Sequence, residues 1–425
     1  MTEPNSDTFA VVKDGANEVG MMNVRAKRRA SIAITFSLLV FGMGQSFIFT
    51  SIPPIARELG WSESRVGLIM MSGALVLVCF SFFWGRWVDR LGTRRSMQAG
   101  MLAYALTTLG LGVLFAGALD GKVASSATFL LAIGLRVVFS ATSGGVFPSA
   151  QAYFVATSTP ETRTSAIATI GIAFSVGMTM GPALAATVSN LSLYAPFYAM
   201  AFLAFASTVL LHFCGPKSQD HRANSSNPES QVEPIKWLTH PAFPFLLLIM
   251  IVSLVLNGTQ QVVVFFVQDL LNLSAKEAAQ RGGISMTIMS IVMIVVQIVV
   301  AQRLKLDPAL MINLGGATLL ASMSVFTLYP SWFSFLVAMA LFGGGVGLLY
   351  PAIIAFQTLS AAPVEQARVA GVNVSSQGVG LVLGPVSASY LYQLSALYPF
   401  LLVGFLAILI IAVFNLCTGS KESRA

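Results

Sequence analysis

Twelve long apolar stretches run through the chain, at about residues 30–52, 64–84, 96–118, 125–148, 164–189, 193–213, 241–268, 283–302, 309–329, 332–357, 369–391 and 398–417. Crossing the hydrocarbon core of a bilayer takes about 20 predominantly apolar residues in a helix. Within that core every backbone N–H and C=O must be bonded inside the protein, so a run of this length has little choice but to be helical. Only 10% of the residues are charged, against roughly a quarter in a soluble domain. The sequence therefore predicts an all-α integral membrane protein with twelve transmembrane helices, and it excludes a water-soluble fold.

The stretches fall into two sets of six, separated by residues 214–240, which are rich in Ser, Asn, Pro and charge. That is the composition of a linker. The expected organisation is a polar tail at 1–29, a first six-helix bundle at 30–213, the linker at 214–240, a second bundle at 241–417 and a short tail at 418–425. The first stretch is too long for a signal-peptide core and reads as a retained helix. If both termini are cytoplasmic, 18 of the 24 Lys and Arg fall in cytoplasmic segments, and Arg136 alone lies within a span. The positive-inside rule selects that orientation in an inner or plasma membrane. The net charge of +7 is dispersed among short loops, so it marks topology and not nucleic-acid binding.

The halves repeat. A constant offset of 203 residues pairs Pro148 with Pro351, Pro160 with Pro363, Gly177 with Gly380, Gly181 and Pro182 with Gly384 and Pro385, and Pro196 and Phe197 with Pro399 and Phe400. Stretches one to three match seven to nine less closely. Parallel repeats of this kind place a substrate site near the midplane between two bundles that rock about it.

Between the second and third stretches lies Gly85, Arg86, Trp87, Val88, Asp89, Arg90, Leu91, Gly92, Thr93, Arg94, Arg95. This run resembles G-x-L-x-D-R-x-G-R-R/K, the signature of the major facilitator superfamily, with Trp87 and Thr93 as departures. The resemblance implies a cytoplasmic gate built on Gly85, Asp89, Arg90, Gly92 and Arg94. In the fifth stretch Ala168, Gly177, Gly181 and Pro182 resemble the antiporter signature G-x8-G-x3-G-P, and Gly371, Gly380, Gly384 and Pro385 repeat it in the eleventh. Small residues four apart let helices touch backbone to backbone, and proline weakens a helix where it bends. In overall organisation the chain resembles the drug and proton antiporters of the superfamily.

Arg136 stands about ten residues into the fourth stretch, near mid-bilayer at 1.5 Å per residue. An intramembrane arginine costs roughly 3 kcal/mol or more unless it meets water or a partner. It resembles the arginine of the family's helix-four motif, although Phe139 and Ser140 stand where Gln-Gly is usual. No carboxylate lies at comparable depth, Asp89 and Asp269 being near the edges. An anionic solute is then a fitting partner. The neutral candidates for a transport cavity are Gln45, Asn257, Gln260, Gln261, Asn373 and Gln377, and Phe36, Phe41, Phe47 and Phe49 could supply an apolar wall.

No phosphate-binding loop is present, and His212, His221 and His240 flank the linker without forming a metal set. The expectation is a non-enzyme with no catalytic residue, metal or cofactor, coupled to a proton or other ion gradient. Its partners would be a small-molecule substrate and the bilayer, with no nucleic acid, and it would function as a monomer. The leading reading is a secondary active exporter of an amphipathic metabolite or drug, anionic ones included. Uptake of a small carboxylate and a non-transporting sensor on the same fold are the alternatives.

Overall fold

A computed structural model describes residues 6–159, 162–216, 237–304, 306–328, 331–362 and 364–422. Among the described residues, twelve helices are long and apolar enough to span a bilayer. The first six are α1 (Ser6–Glu58), α2 (Glu63–Leu91), α3 (Thr93–Leu119), α4 (Ser125–Thr157), α5 (Arg163–Val188) and α6 (Ala195–Cys214). The second six are α7 (Phe243–Leu271), α8 (Ala275–Ile298), α9 (Pro308–Leu328), α10 (Trp332–Leu359), α11 (Gln366–Leu394) and α12 (Tyr398–Glu422). Twelve crossings leave both termini on the same face as the connection between α6 and α7. We call it the linker face, and its opposite the far face.

Helix α1 begins at Ser6, inside the stretch expected as a polar tail, and α12 runs on to Glu422. Once a span has nucleated a helix, adding a residue needs only one more backbone bond, so the apolar boundary does not end the helix. Residues 217–236 of the linker, and Pro160 and Pro363 of the repeat, lie outside the described residues. The end of the linker does not hang free. A 3-10 turn at Trp237–Thr239 sets Trp237 against a small apolar cluster of Ala242, Ala361 and Val369, and His240 Nε2 stands 3.4 Å from Glu365 Oε2.

The connection from α2 to α3 is a single residue, Gly92, at φ +78°. Its N–H bonds to the Val88 carbonyl at 2.9 Å and its own carbonyl accepts from Ser96 N–H at 3.1 Å. Only glycine takes that φ without steric penalty, which accounts for the glycine of the loop motif on backbone grounds alone.

The repeat is built into the helix crossings. A side chain at Gly177 would run into the Leu39 carbonyl and Met43 N of α1, and one at Gly380 into the Met250 carbonyl and Leu254 N of α7. At Gly181 the obstacles are the Met43 carbonyl and Phe47 N, and at Gly384 the Leu254 carbonyl and Gly258 N. Thus α5 and α11 correspond at the offset of 203, while α1 and α7 correspond at 211, as Leu39 with Met250 and Phe47 with Gly258 show. The eight-residue difference is why the first stretches of each half do not align in the register of the later ones. Phe197 and Phe400 also play matching parts, each buried and meeting a neighbouring phenylalanine edge-on, Phe47 at 5.3 Å and Phe266 at 4.7 Å.

Not every glycine of α5 and α11 is an approach point. Gly371 and Gly171 have nothing within 4 Å of where a Cβ would stand. Alanine at either position should therefore be neutral or slightly stabilising, since it gains up to about 1 kcal/mol of helix propensity. Gly177→Ala or Gly380→Ala should lower stability by about 1–3 kcal/mol through forced separation of the backbones. Thermal unfolding of the four purified variants in detergent measures the contrast, and equal melting temperatures would contradict it.

Candidate functional site

A cavity of about 270 Å³ lies between the halves. Helix α1 lines it with Phe41, Gln45 and Phe49, α2 with Met70 and Gly73, α4 with Arg136, Ser140 and Phe147, α5 with Phe174 and Met178, α7 with Asn257 and α11 with Pro385. Its wall is mostly apolar, with four phenylalanines and two methionines in it. Among the described lining residues Arg136 is the only charged one.

The helix that carries Arg136 is broken just beyond it. Helix α4 consists of Ser125–Ser143 and Val146–Thr157, with Gly144 and Gly145 between. The Trp84 ring lies where side chains at either glycine would go, and its Nε1 donates to the Ala141 carbonyl at 2.7 Å. The indole thus satisfies a carbonyl at the break, as a membrane interior requires. On the other side Gly73 makes room for Arg136: a Cβ there would stand 3.1 Å from Nη2 and 3.2 Å from Nε.

Arg136 is only 8% exposed, and among the described residues its guanidinium has no hydrogen bond or ion pair. Its support is the face of Phe139, 5.1 Å from Cζ to ring centroid, a cation–π contact. Phe139 in turn meets Tyr104 edge-on at 5.1 Å. The Tyr104 hydroxyl, lodged where Gly44 lacks a side chain, is buried without a partner, as is Gln45 Nε2. The offset of 203 maps Arg136 onto Met339 of α10, which is 1% exposed.

The structure brings Gln45, Arg136 and Asn257 to the cavity, together with two of the four candidate aromatics, Phe41 and Phe49. Asn257 spends its amide N–H on its own helix, donating to the Ser253 carbonyl at 2.8 Å. Gln260, Gln261, Asn373 and Gln377 are not in the lining. Gln261 shares a helix face with Asn257 but lies one turn nearer the far face, where it is fully buried with neither amide atom bonded. Gln377 offers only its backbone carbonyl, to Ser253 Oγ at 2.8 Å, and Asn373 Oδ1 is buried without a partner. Phe47 is in the interior of the first half. The contributions of Met70, Phe147, Phe174 and Met178 escape sequence reasoning, because an apolar residue facing a cavity reads like one facing lipid.

In the loop motif, the side chains of Gly85 and Asp89 lie outside the described residues. Arg90 is exposed. Arg94 donates to the His212 carbonyl in the last turn of α6, where a cation meets the negative end of the helix dipole.

Toward the far face the halves are tied together. Arg57 Nη2 at the end of α1 bridges Glu63 of α2 at 2.9 Å and Asp269 of α7 at 2.8 Å, and Asp269 Oδ2 also accepts from the Tyr392 hydroxyl of α11 at 2.7 Å. Gln280 of α8 donates to Asn190 beyond α5, and Thr50 Oγ1 donates to Met286 Sδ at 3.3 Å. Gly283 and Gly67 bring α8 against α5 and α2 against α11 at the same level. The sequence shows Arg57 and Asp269 only as edge charges; their meeting depends on how the halves lean.

A family model described as Major Facilitator Superfamily matches residues 34–356. The chain is 25% identical over 394 residues to Multidrug resistance protein 2 of Bacillus subtilis (strain 168), covering 91% of this chain and 94% of that protein. It is 26% identical over 375 residues to the class D tetracycline resistance protein of Salmonella ordonez, with 86% and 89% covered. Among solved structures it is similar to a bacterial homolog of the human lysosomal transporter Spinster in an inward-facing, occupied conformation. That match has a TM-score of 0.70 at 14% identity and covers 91% of this chain and 96% of the other.

The far-face cluster predicts its own test. With native cysteines replaced by serine and a single cysteine at Thr50, a membrane-impermeant maleimide added from the far face should label the protein slowly. Asp269→Arg should speed labelling several-fold by setting like charges opposite Arg57, and the swapped pair Arg57→Asp with Asp269→Arg should slow it again. Unchanged labelling in the single variant would show that the cluster does not hold this face shut.

Proposed function

The chain belongs to the Major Facilitator Superfamily, and from that premise we propose that it is a secondary active exporter of amphipathic organic solutes, acidic ones among them. The observation that carries this reading is the cavity itself, which is lined by both halves and overlain at the far face by the ties between them. Alternating access needs such a site, and it needs contacts that break when the halves rock the other way.

The linker face is cytoplasmic in this proposal, since the basic residues gather there. A solute enters from the cytoplasm or the inner leaflet while the Arg57–Asp269 side is shut, and leaves when that side opens. Solvent-exposed ion pairs are worth about 0–1 kcal/mol each, so these ties bias the equilibrium without locking it. The names of the relatives, multidrug and tetracycline resistance proteins, support the outward direction. In this proposal an ion gradient supplies the work, and the sequence carries no phosphate-binding loop for a nucleotide. Uptake of a small carboxylate is the second reading, and the unpaired Arg136 is the observation that favours it.

Expression in an efflux-deficient host separates the two. Export predicts severalfold lower accumulation of a fluorescent amphipathic dye and a raised inhibitory concentration for at least one amphipathic antibiotic. Higher accumulation across the panel would establish uptake, and no change for any solute or gradient would sink the transport reading.

A further inference from the structure

We infer that the cavity is selective for organic monoanions with a flat apolar body, the acid group meeting Arg136 and the body lying against Phe41, Phe49, Phe147 and Phe174. This rests on the reading of the cavity as the transport site, and it names the class of solute that the site takes.

Among the described residues, two buried atoms of the lining lack a hydrogen-bond partner, Arg136 Nε and Gln45 Nε2, and the Tyr104 hydroxyl, which is not in the lining, lacks one behind them. All three groups donate. A neutral solute with mixed donors and acceptors satisfies such a set poorly, whereas a carboxylate, sulfonate or phosphate monoester brings only acceptors and a compensating charge. Leaving a guanidinium buried and unpaired is costly, so an anionic group that arrives with the solute recovers that cost. Because Arg136 is the single charged residue in the described lining, one negative charge balances it and a second would be left unmatched.

The fold does not need this cation. The repeat places Met339 at the corresponding point of the second half, buried and apolar, so packing α4 can be done without charge. Gly73 then makes sense as the residue that yields its side-chain space to the guanidinium. The rest of the wall sets the shape. Four phenylalanines from α1, α4 and α5 present flat apolar surfaces, and aromatic rings prefer offset or edge contacts with other rings. A volume of about 270 Å³ is close to the lower bound of small-molecule pockets, about 300 Å³, which suits a fused bicyclic acid.

The test is binding of radiolabelled 2-naphthoate, 2-naphthamide and 2-naphthylmethylammonium to the full chain in lipid nanodiscs. The acid should bind at least tenfold more tightly than the isosteric amide, and the cation not measurably. Arg136→Met, which copies the residue found in the other half and so should fold, should weaken the acid at least tenfold and the amide much less, erasing the preference. Arg136→Lys should keep part of the preference. Equal binding of acid and amide by the unmodified protein, no binding of the acid, a preference that survives Arg136→Met, or displacement of naphthoate by chloride at equal concentration would each overturn the inference. Efflux of neutral or cationic solutes with no acid preference would remove the monoanion class while sparing the transporter reading. Tight acid binding with no movement of any solute would do the opposite.

Discussion

Lipid offers no hydrogen bonds to a backbone, and the rest of this structure follows from that constraint. Each span must close its own ladder as a helix, and helices so closed attract one another mainly through close contact, because lipid tails are as apolar as leucine. The closest contacts here are backbone to backbone, at Gly177 and Gly181 against α1 and at Gly380 and Gly384 against α7. These two crossings are the same joint used twice. They fix the central helix of each half, and α1 and α7 then present Gln45 and Asn257 to the cavity between the halves.

Against that symmetric frame the cavity is lopsided. The first half supplies most of its lining, including Gly144 at the break in α4 and Arg136 against the glycine of α2. The second half has Met339, Gly343 and Gly347 at the positions of Arg136, Ser140 and Gly144, and its two glycines close tightly on Met289 and Met293 of α8. One copy of the repeat is therefore filled by packing, while its counterpart holds a costly, unpaired cation. Stability alone does not account for that difference between two copies of one fold.

The contacts between the halves add polar ties to close helix approaches. Within each half, glycine crossings and buried phenylalanines interlock. Between them at the far face stand, besides the glycine approaches at Gly67 and Gly283, the partly exposed Arg57–Asp269 ion pair and the Thr50–Met286 and Gln280–Asn190 hydrogen bonds. Ties of that kind are specific in geometry and modest in energy. They suit a joint that opens and closes, whereas the joints inside each half suit rigid bodies.

The sequence by itself determined the number of spans, their helical state, the two sets of six and the repeat in their later helices, because hydropathy, chain length and glycine–proline spacing are local properties. It also singled out Arg136, since a charge in an apolar run is conspicuous without coordinates. Rotation and depth were beyond its reach. Gln261 and Asn257 share a helix face, yet only Asn257 reaches the cavity, and Phe147 and Phe174 look in sequence like any lipid-facing phenylalanine. The register of 211 between α1 and α7, and the meeting of Arg57 with Asp269 across 212 residues of chain, were decided only by tertiary structure. The physical reason is that they depend on how helices lean together, a sum of many weak contacts between distant segments that no local pattern records.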